Sequence, residues 1–468
     1  MAEASTTTKG IKACLAALLV MFILATLSLQ AFMYAVNPIG EHVGAGDAAS
    51  LITALPAVFM GLAAFVYASM ADFIPLKKIF VVGFIIFILG SLMGFFFNFN
   101  NLAMVVIARS IQAFGGQAAG SCFLVLAGRY LSQKERVVFF GIFTASYQFS
   151  AGLGSIAAGV LANFEQWPAL FLIPCVSLLV LYPALKNMPE KIEGIEEGQG
   201  IDAIGYALFT FFITFLMLFF NMGYIWLYLW ISLAFLVVFI IYICKAKNPF
   251  ITPAFFMNGR WVLAYLVLTL VWFTGYSALP LAQAIGTTTL QLDSFTMSLV
   301  LLIPIAAATI CGVLSGKIIG VIGRSKTLIL AVVLQCLGFL ASALVLSPNW
   351  VPLAITLAIY WGGYGMLYSP MVDTVISTVK PSEIGRGFGM NDLMVSVSPS
   401  IGLAVFNPMI LAAQAGVGAP NFIPGVSDPF VYGFPTIFFL FAIPGILGII
   451  LFLFTKNYIN GETKDQAK

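Results

Sequence analysis

The sequence predicts an all-α integral membrane protein of fourteen transmembrane helices, on three observations. Hydrophobic residues make up 61% of the 468 and charged residues only 8%, and a mean hydropathy of +1.05 leaves too little polar surface for a water-soluble globule. Apolar runs of about 20 residues, the length that crosses ~30 Å of hydrocarbon, end at clusters of Gly, Pro, Asn or charge. All but one of the lysines and arginines fall in alternate connections between those runs or in the two tails, as they do when the cytoplasmic side collects them. Strands of alternating polarity are absent, which excludes a membrane barrel.

The first span, at 11–36, follows Lys9 and Lys12 but is too long for the apolar core of a signal peptide and lacks a cleavage site. Spans then follow at 50–70, 79–97, 102–126, 137–161, 168–186, 203–221, 224–244, 261–283, 294–316, 327–346, 351–378, 387–414 and 433–455. With the N-terminus inside, the even-numbered connections and the two tails hold twenty of the 21 basic residues. The odd-numbered connections carry acids instead: Glu41, Asp47, Glu165, Asp293 and Asp428. Residues 203–244 must therefore cross twice around the turn NMGY (221–224), since a single crossing would invert every later loop. This places both termini in the cytoplasm and the chain in the plasma membrane as a multi-pass protein. The basic residue outside this sorting is Arg109.

The chain also repeats itself weakly. At a constant spacing of 248 residues Lys78 meets Lys326, Gly115 meets Gly363, Glu135 meets Glu383, Gly141 meets Gly389 and Gly154 meets Gly402. An unchanged spacing across several helices implies two six-helix halves in the same orientation. The expected domains are 11–186, a segment of linkers and a two-helix insert at 187–260, a second half at 261–455, and a tail at 456–468. The Gly/Pro-containing stretch 415–432 is an insertion placed to cover the outer mouth.

Three ionisable residues fall inside spans: Arg109, Asp373 and Asp392. A charge at mid-bilayer costs ~2.5 to 3.5 kcal/mol, so each must face protein or a water-filled cavity. Arg109 lies roughly 11 Å into its helix at 1.5 Å per residue. Gln112, Gly116 and Gly120 continue nearly the same face, making it polar and thin. Asp373 and Asp392 read either as coupling carboxylates or as partners of nearby Lys380 and Arg386. The six cysteines sit in apolar runs without a CxxC and read as small buried side chains. The single histidine, His42, is in a loop, so neither a metal site nor an intramembrane catalytic site is expected. GVLSGK (312–317) falls one residue short of a phosphate-binding loop, and no basic tract suggests nucleic acid. No cofactor is called for.

ASMADFIPLKK (68–78) and GKIIGVIGRSK (316–326) resemble the loop signature G-x-L-a-D-R-x-G-R-[KR] of the major facilitator superfamily. Asp72, Lys77 and Lys78 match in one copy, and Gly316, Gly323, Arg324 and Lys326 in the other; Ala68, Phe73 and Pro75 stand where the family has Gly, Arg and Gly. ARSIQAFGGQAAG (108–120) is similar to the family's fourth-helix pattern R-x-x-Q-G-x-G-a-a. AGLGSIAAG (151–159) is similar to the fifth-helix signature of its exporters at Gly152, Gly154 and Gly159, with Ser155 in place of proline. The fourteen-helix count with a central pair resembles the drug:proton antiporter branch, which includes multidrug and tetracycline exporters.

The resemblance implies a 6+2+6 major-facilitator fold, alternating access, a gating role for Asp72, Lys77, Lys78 and Arg324, and a cavity-lining Arg109 implicated in proton coupling. The expected activity is proton-coupled export of small lipophilic or anionic compounds by a monomer. An uptake permease of the same fold stays open, because LQAFMYAVNP (29–38) holds Leu29 and Gln30 where that branch commonly has an acid. A membrane-embedded enzyme is the reading from another class. With Gln30 and Gln112, the aromatic residues Trp272, Tyr276 and Tyr364 complete the candidate substrate pathway.

Overall fold

The computed structural model describes residues 8–45, 49, 51–97, 101–162, 166–189, 202–347, 349–417 and 433–461, and among these there is no β-strand. Of the stretch 415–432 expected to cover the outer mouth, 418–432 lies outside the described residues, as does Lys191 in the central linker. The helices are α1 (Thr8–Tyr34), α2 (Val36–His42), α3 (Leu51–Met70), α4 (Leu76–Phe96), α5 (Leu102–Tyr130) and α6 (Gln133–Ala162). A 3₁₀ segment at Trp167–Val180 then runs on as α7 (Leu181–Asn187). Next come α8 (Ala203–Asn221), α9 (Trp226–Lys245), α10 (Pro253–Phe256), α11 (Gly259–Trp272) and α12 (Ala278–Thr288). The chain closes with α13 (Ser294–Ile322), α14 (Arg324–Leu344), α15 (Trp350–Ile376), α16 (Ile384–Gln414) and α17 (Phe434–Asn460).

Thirteen helical stretches among the described residues are long and apolar enough to cross a membrane. The other expected span, 261–283, is broken into α11 and α12 by a turn at 273–277. Pro280 accounts for the break: it has no N–H to donate to the carbonyl of Tyr276, and its ring would collide with that carbonyl in a continuous helix. The expected pair of crossings in 203–244 is α8 and α9, which pack on each other. The turn between them uses left-handed backbone at Gly223 (φ 76°) and Tyr224 (φ 60°). Ser232 donates across the pair to the Phe212 carbonyl at 2.9 Å, and Phe235 stacks on Phe211 and Phe215.

Contacts divide the chain into two compact units. One comprises Met1–Arg136, Phe149–Met257 and Val379–Ser396, and the other Val137–Gln148, Asn258–Thr378 and Val397–Lys468. In the first unit α5 packs against α1, α3 and α4; in the second α15 packs against α11, α13 and α14. The 248-residue repeat is visible atom by atom. A Cβ on Gly115 would collide with Phe87 N and Gly83 O, and one on Gly363 with Gln335 N and Ala331 O, the residues 248 positions later in each case. Gly90 meets Gln112 N as Gly338 meets Tyr360 N, again at that spacing. Even the caps repeat: Asn101 accepts from Ala103 N at 2.9 Å to start α5, and Asn349 from Val351 N at 3.0 Å to start α15. Glycine here removes the one atom that would hold the backbones apart.

Because both helix pairs depend on that approach, Gly115→Ala and Gly363→Ala should each destabilise the detergent-solubilised protein by about 1 to 3 kcal/mol, the usual cost of overpacking. Gly320→Ala, where a Cβ would meet nothing within 4 Å, should leave the thermal unfolding midpoint unchanged. Equal losses in all three variants would show that the close approach is not what matters.

Candidate functional site

In the first unit the polar face of α5 turns inward. Arg109 is wholly buried, its Nη1 donates to Gln112 Oε1, and its guanidinium lies 4.1 Å from the centroid of the Phe32 ring. Gln112 is held from several sides: its Nε2 donates to Ser91 Oγ at 3.0 Å and to the Phe171 carbonyl at 3.4 Å. Its Oε1 also accepts from Ser28 Oγ at 3.4 Å. Side chains from α1 and α4 and a carbonyl from the 3₁₀ segment thus fix one glutamine, and that glutamine fixes the arginine one turn away. Arg109, Gln112 and Gln117 line a small recess with Thr26, Leu29, Met60 and Phe87. Gln30 is buried on α1, outside that lining, where Gly154 of α6 comes so close that an added Cβ would sit 2.8 Å from both Ala31 N and Gln30 Cβ. Gly152 and Gly159 share α6 with Gly154.

The aromatic candidates meet in the second unit. The Trp272 and Tyr364 rings lie 4.8 Å apart, edge to face, and Tyr368 joins Trp272 at 6.5 Å. A Cβ on Gly275, in the turn between α11 and α12, would touch Tyr364 at 3.0 Å. Tyr276 follows in that turn, half-buried. Tyr360, which occupies the place of Gln112 in the repeat, stacks on Phe339, which occupies the place of Ser91, at 4.1 Å. The two halves thus use one backbone arrangement for opposite chemistry, an amide network in one and an aromatic stack in the other.

The loop residues fall into two separate clusters. Asp72 is buried and accepts four donors: Arg129 Nη2 at 2.6 Å, Gly385 N at 2.8 Å, Arg386 N at 2.9 Å and Arg386 Nε at 3.1 Å. Gly385 and Arg386 open α16, so the carboxylate satisfies amides that a helix start leaves unpaired and sits at the positive end of its dipole. Burial pushes the Asp72 carboxyl up, against the opposing pull of Arg129, Arg386 and the two amides. Phe73, at the place of the family's arginine, lies 5.2 Å below the Arg386 guanidinium. Lys77 and Lys78 stand in the first turn of α4. In the second unit the polarity is reversed: Arg324 of the loop donates to the buried Asp373 at 3.3 Å and to its carbonyl at 3.1 Å, and also to Asn460 Oδ1 at 2.6 Å. Asp392 is buried on α16 and accepts from Asn391 Nδ2 at 2.9 Å.

Sequence reasoning did not single out three residues that the structure puts to use. Arg129 was counted only as a loop charge and Arg386 was read as a partner of Asp373 or Asp392, yet both converge on Asp72, and Asp373 pairs with Arg324 instead. Asp202 ties the central insert together, accepting from Gly205 N and Phe250 N at 2.9 Å each and from the Tyr242 hydroxyl. An Asp just before an apolar helical run is an N-cap signal that could have found it.

Glycine contacts repeated at a constant spacing, a broken helix, and an arginine-centred polar recess among membrane-length helices are features of a membrane transporter. The family model of the Major Facilitator Superfamily matches residues 18–403 and 261–468, and the chain belongs to that superfamily. Its relatives include the Methylenomycin A resistance protein of Bacillus subtilis, 22% identical over 60% of this chain and 62% of that protein. Multidrug resistance protein 3 of the same organism is 24% identical over 80% of this chain and 74% of that protein. Among solved structures, the human organic anion transporter MFSD10 covers 94% of this chain and 99% of its own at a TM-score of 0.67 and 12% identity. The proton:xylose symporter XylE covers 97% and 96% at 0.65, also at 12% identity. The chain is thus a multi-pass transporter of small-molecule substrates in the fold of this superfamily, with drug-resistance relatives.

Replacing Asp72 by Asn should cost about 3 to 5 kcal/mol of stability, the usual penalty for leaving buried cations without their anion. Lys78→Ala, an exposed position, should change it by less than about 0.5 kcal/mol. Thermal unfolding in detergent compares the two; equal melting points would mean that Asp72 contributes nothing to the folded state.

Proposed function

We propose that the protein is a proton-coupled exporter of small lipophilic or anionic compounds, working by alternating exposure of its substrate site to the two sides of the membrane. The observation that carries this reading is the recess on α5. A charged, hydrogen-bonded residue is kept at membrane depth at considerable cost, which selection retains where a pathway needs it. The drug-resistance relatives support the direction of transport. The basic residues, gathered in alternate connections and both tails, support a plasma-membrane topology with cytoplasmic termini. We take the working unit to be a monomer.

In this reading Arg109 and Gln112 hold the substrate or its coupled proton, and Gln30, Trp272, Tyr276 and Tyr364 contribute contact surface along the route. Asp392, buried on α16, takes up the coupling proton, while Asp373 stays tied to Arg324. The Asp72, Arg129 and Arg386 cluster, with Lys77 and Lys78 beside it, acts as a latch at the start of α16. Gly152, Gly154 and Gly159 let α6 lie close against its neighbours.

Purified protein in liposomes under an imposed pH gradient tests the reading. Labelled lipophiles and organic anions should move faster than in protein-free vesicles, and only when the gradient opposes their flux. Arg109→Ala should abolish that movement while the protein stays folded and monodisperse, and Asp392→Asn should uncouple it from the gradient. Movement that is the same with and without the gradient would make the protein a facilitator rather than an antiporter.

A further inference from the structure

The guanidinium of Arg109 has two distinct edges, and the structure uses only one of them. Nη1 donates to Gln112 Oε1, and the ring of Phe32 covers a face. Nε and Nη2, both buried, have no hydrogen-bond partner among the described residues. Those two nitrogens form the parallel donor fork that matches a pair of oxygens on one carbon or sulfur. No carboxylate lies among the described residues that line the recess; beside Arg109 its polar groups are Thr26, Gln112 and Gln117, and the rest is apolar.

We propose that the free edge of Arg109 is a binding site for an organic anion presenting two adjacent oxygens, a carboxylate or sulfonate on an apolar body, and that this anion is the transported cargo. The argument rests on the transporter reading above and narrows its substrate class. A buried cation without its counter-charge is costly, and a cargo that supplies the charge converts that cost into affinity. Gln112 holds the other edge in place, so the fork is oriented before the ligand arrives and little ordering is left to be done on binding. Leu29, Met60 and Phe87 form the apolar side of the recess, and because the recess is small the body of the ligand must part them to enter. A cationic lipophile would meet like charge at this point and be excluded.

The test separates binding from transport. Wild-type protein in phosphatidylcholine nanodiscs is titrated with naphthalene-1-sulfonate, its neutral sulfonamide, and a naphthylmethyl trimethylammonium cation. The anion should bind about 30-fold or more tightly than the neutral analogue, the ratio expected for a buried charge pair, and the cation should not compete. Arg109→Gln should erase the preference, whereas Arg109→Lys, which keeps the charge but not the fork, should retain only part of it; a thermal melt confirms that each variant is folded. Equal affinity for anion and neutral analogue in the wild type, or an unchanged preference in Arg109→Gln, overturns the proposal. Loss of probe binding when phosphatidylglycerol is added overturns it too, by assigning the fork to a lipid headgroup. The same three probes are then followed in liposomes under a pH gradient. Flux of the neutral or cationic probe without anion preference leaves the exporter standing and removes the anion site. Arg109-dependent binding of the anion without any gradient-driven flux removes the exporter, and with it the cargo role of the site.

Discussion

Helices α4 and α5 come so close that at Gly90 and Gly115 there is no room for a side-chain carbon between them. Much of the first unit follows from this approach. It puts the backbone of Gln112 against α4, so that its amide reaches Ser91 on α4 and the Phe171 carbonyl beyond it. With the amide fixed, its oxygen is aimed at Arg109. In a membrane, lipid tails are as apolar as the side chains they would replace, so close packing and hydrogen bonds supply what hydrophobic burial supplies in water. The recess is therefore a product of helix packing as much as of its own polar residues.

The second unit repeats the packing and discards the chemistry. Gly338 and Gly363 bring α14 and α15 together at the positions that Gly90 and Gly115 occupy in the first. There the side chains that replace Gln112 and Ser91 are Tyr360 and Phe339, stacked at 4.1 Å. Similar backbone contacts thus carry divergent side chains, a charged and amide-lined face in the first unit and an aromatic stack in the second.

The loop clusters follow a similar economy. Close contact needs one small residue, and either partner can supply it: Gly385 faces Ala68 in the first unit, whereas in the second Gly316 faces Val138. Ion pairing needs one carboxylate and at least one guanidinium, and the halves assign them in reverse. Asp72 lies on its loop, with Arg129 near the end of α5, while Arg324 starts α14, with Asp373 near the end of α15. The degenerate loop motif of each half is thus completed by residues elsewhere in the same unit.

The span pattern was legible in the sequence because lipid enforces it. Helix length, apolar composition and the sorting of basic residues each answer to the bilayer locally, and α8 and α9 with their NMGY turn could be read from charge alone. The repeat could be read as well, since glycines required by backbone contact keep their spacing. The break at Pro280 was in principle legible from the proline, but it was hidden by the continuous hydropathy of 261–283. Partnerships were not legible. Nothing near Asp72 in the chain names Arg386, 314 residues away, as its partner, and nothing near Arg109 says which of its nitrogens is engaged. The sequence by itself determined that the chain carries many membrane-length helices, with a cation deep in one of them. Only the tertiary structure decided which charges neutralise one another and which edge of Arg109 stays open, because in a low-dielectric interior those outcomes depend on a few ångströms between groups far apart in the chain.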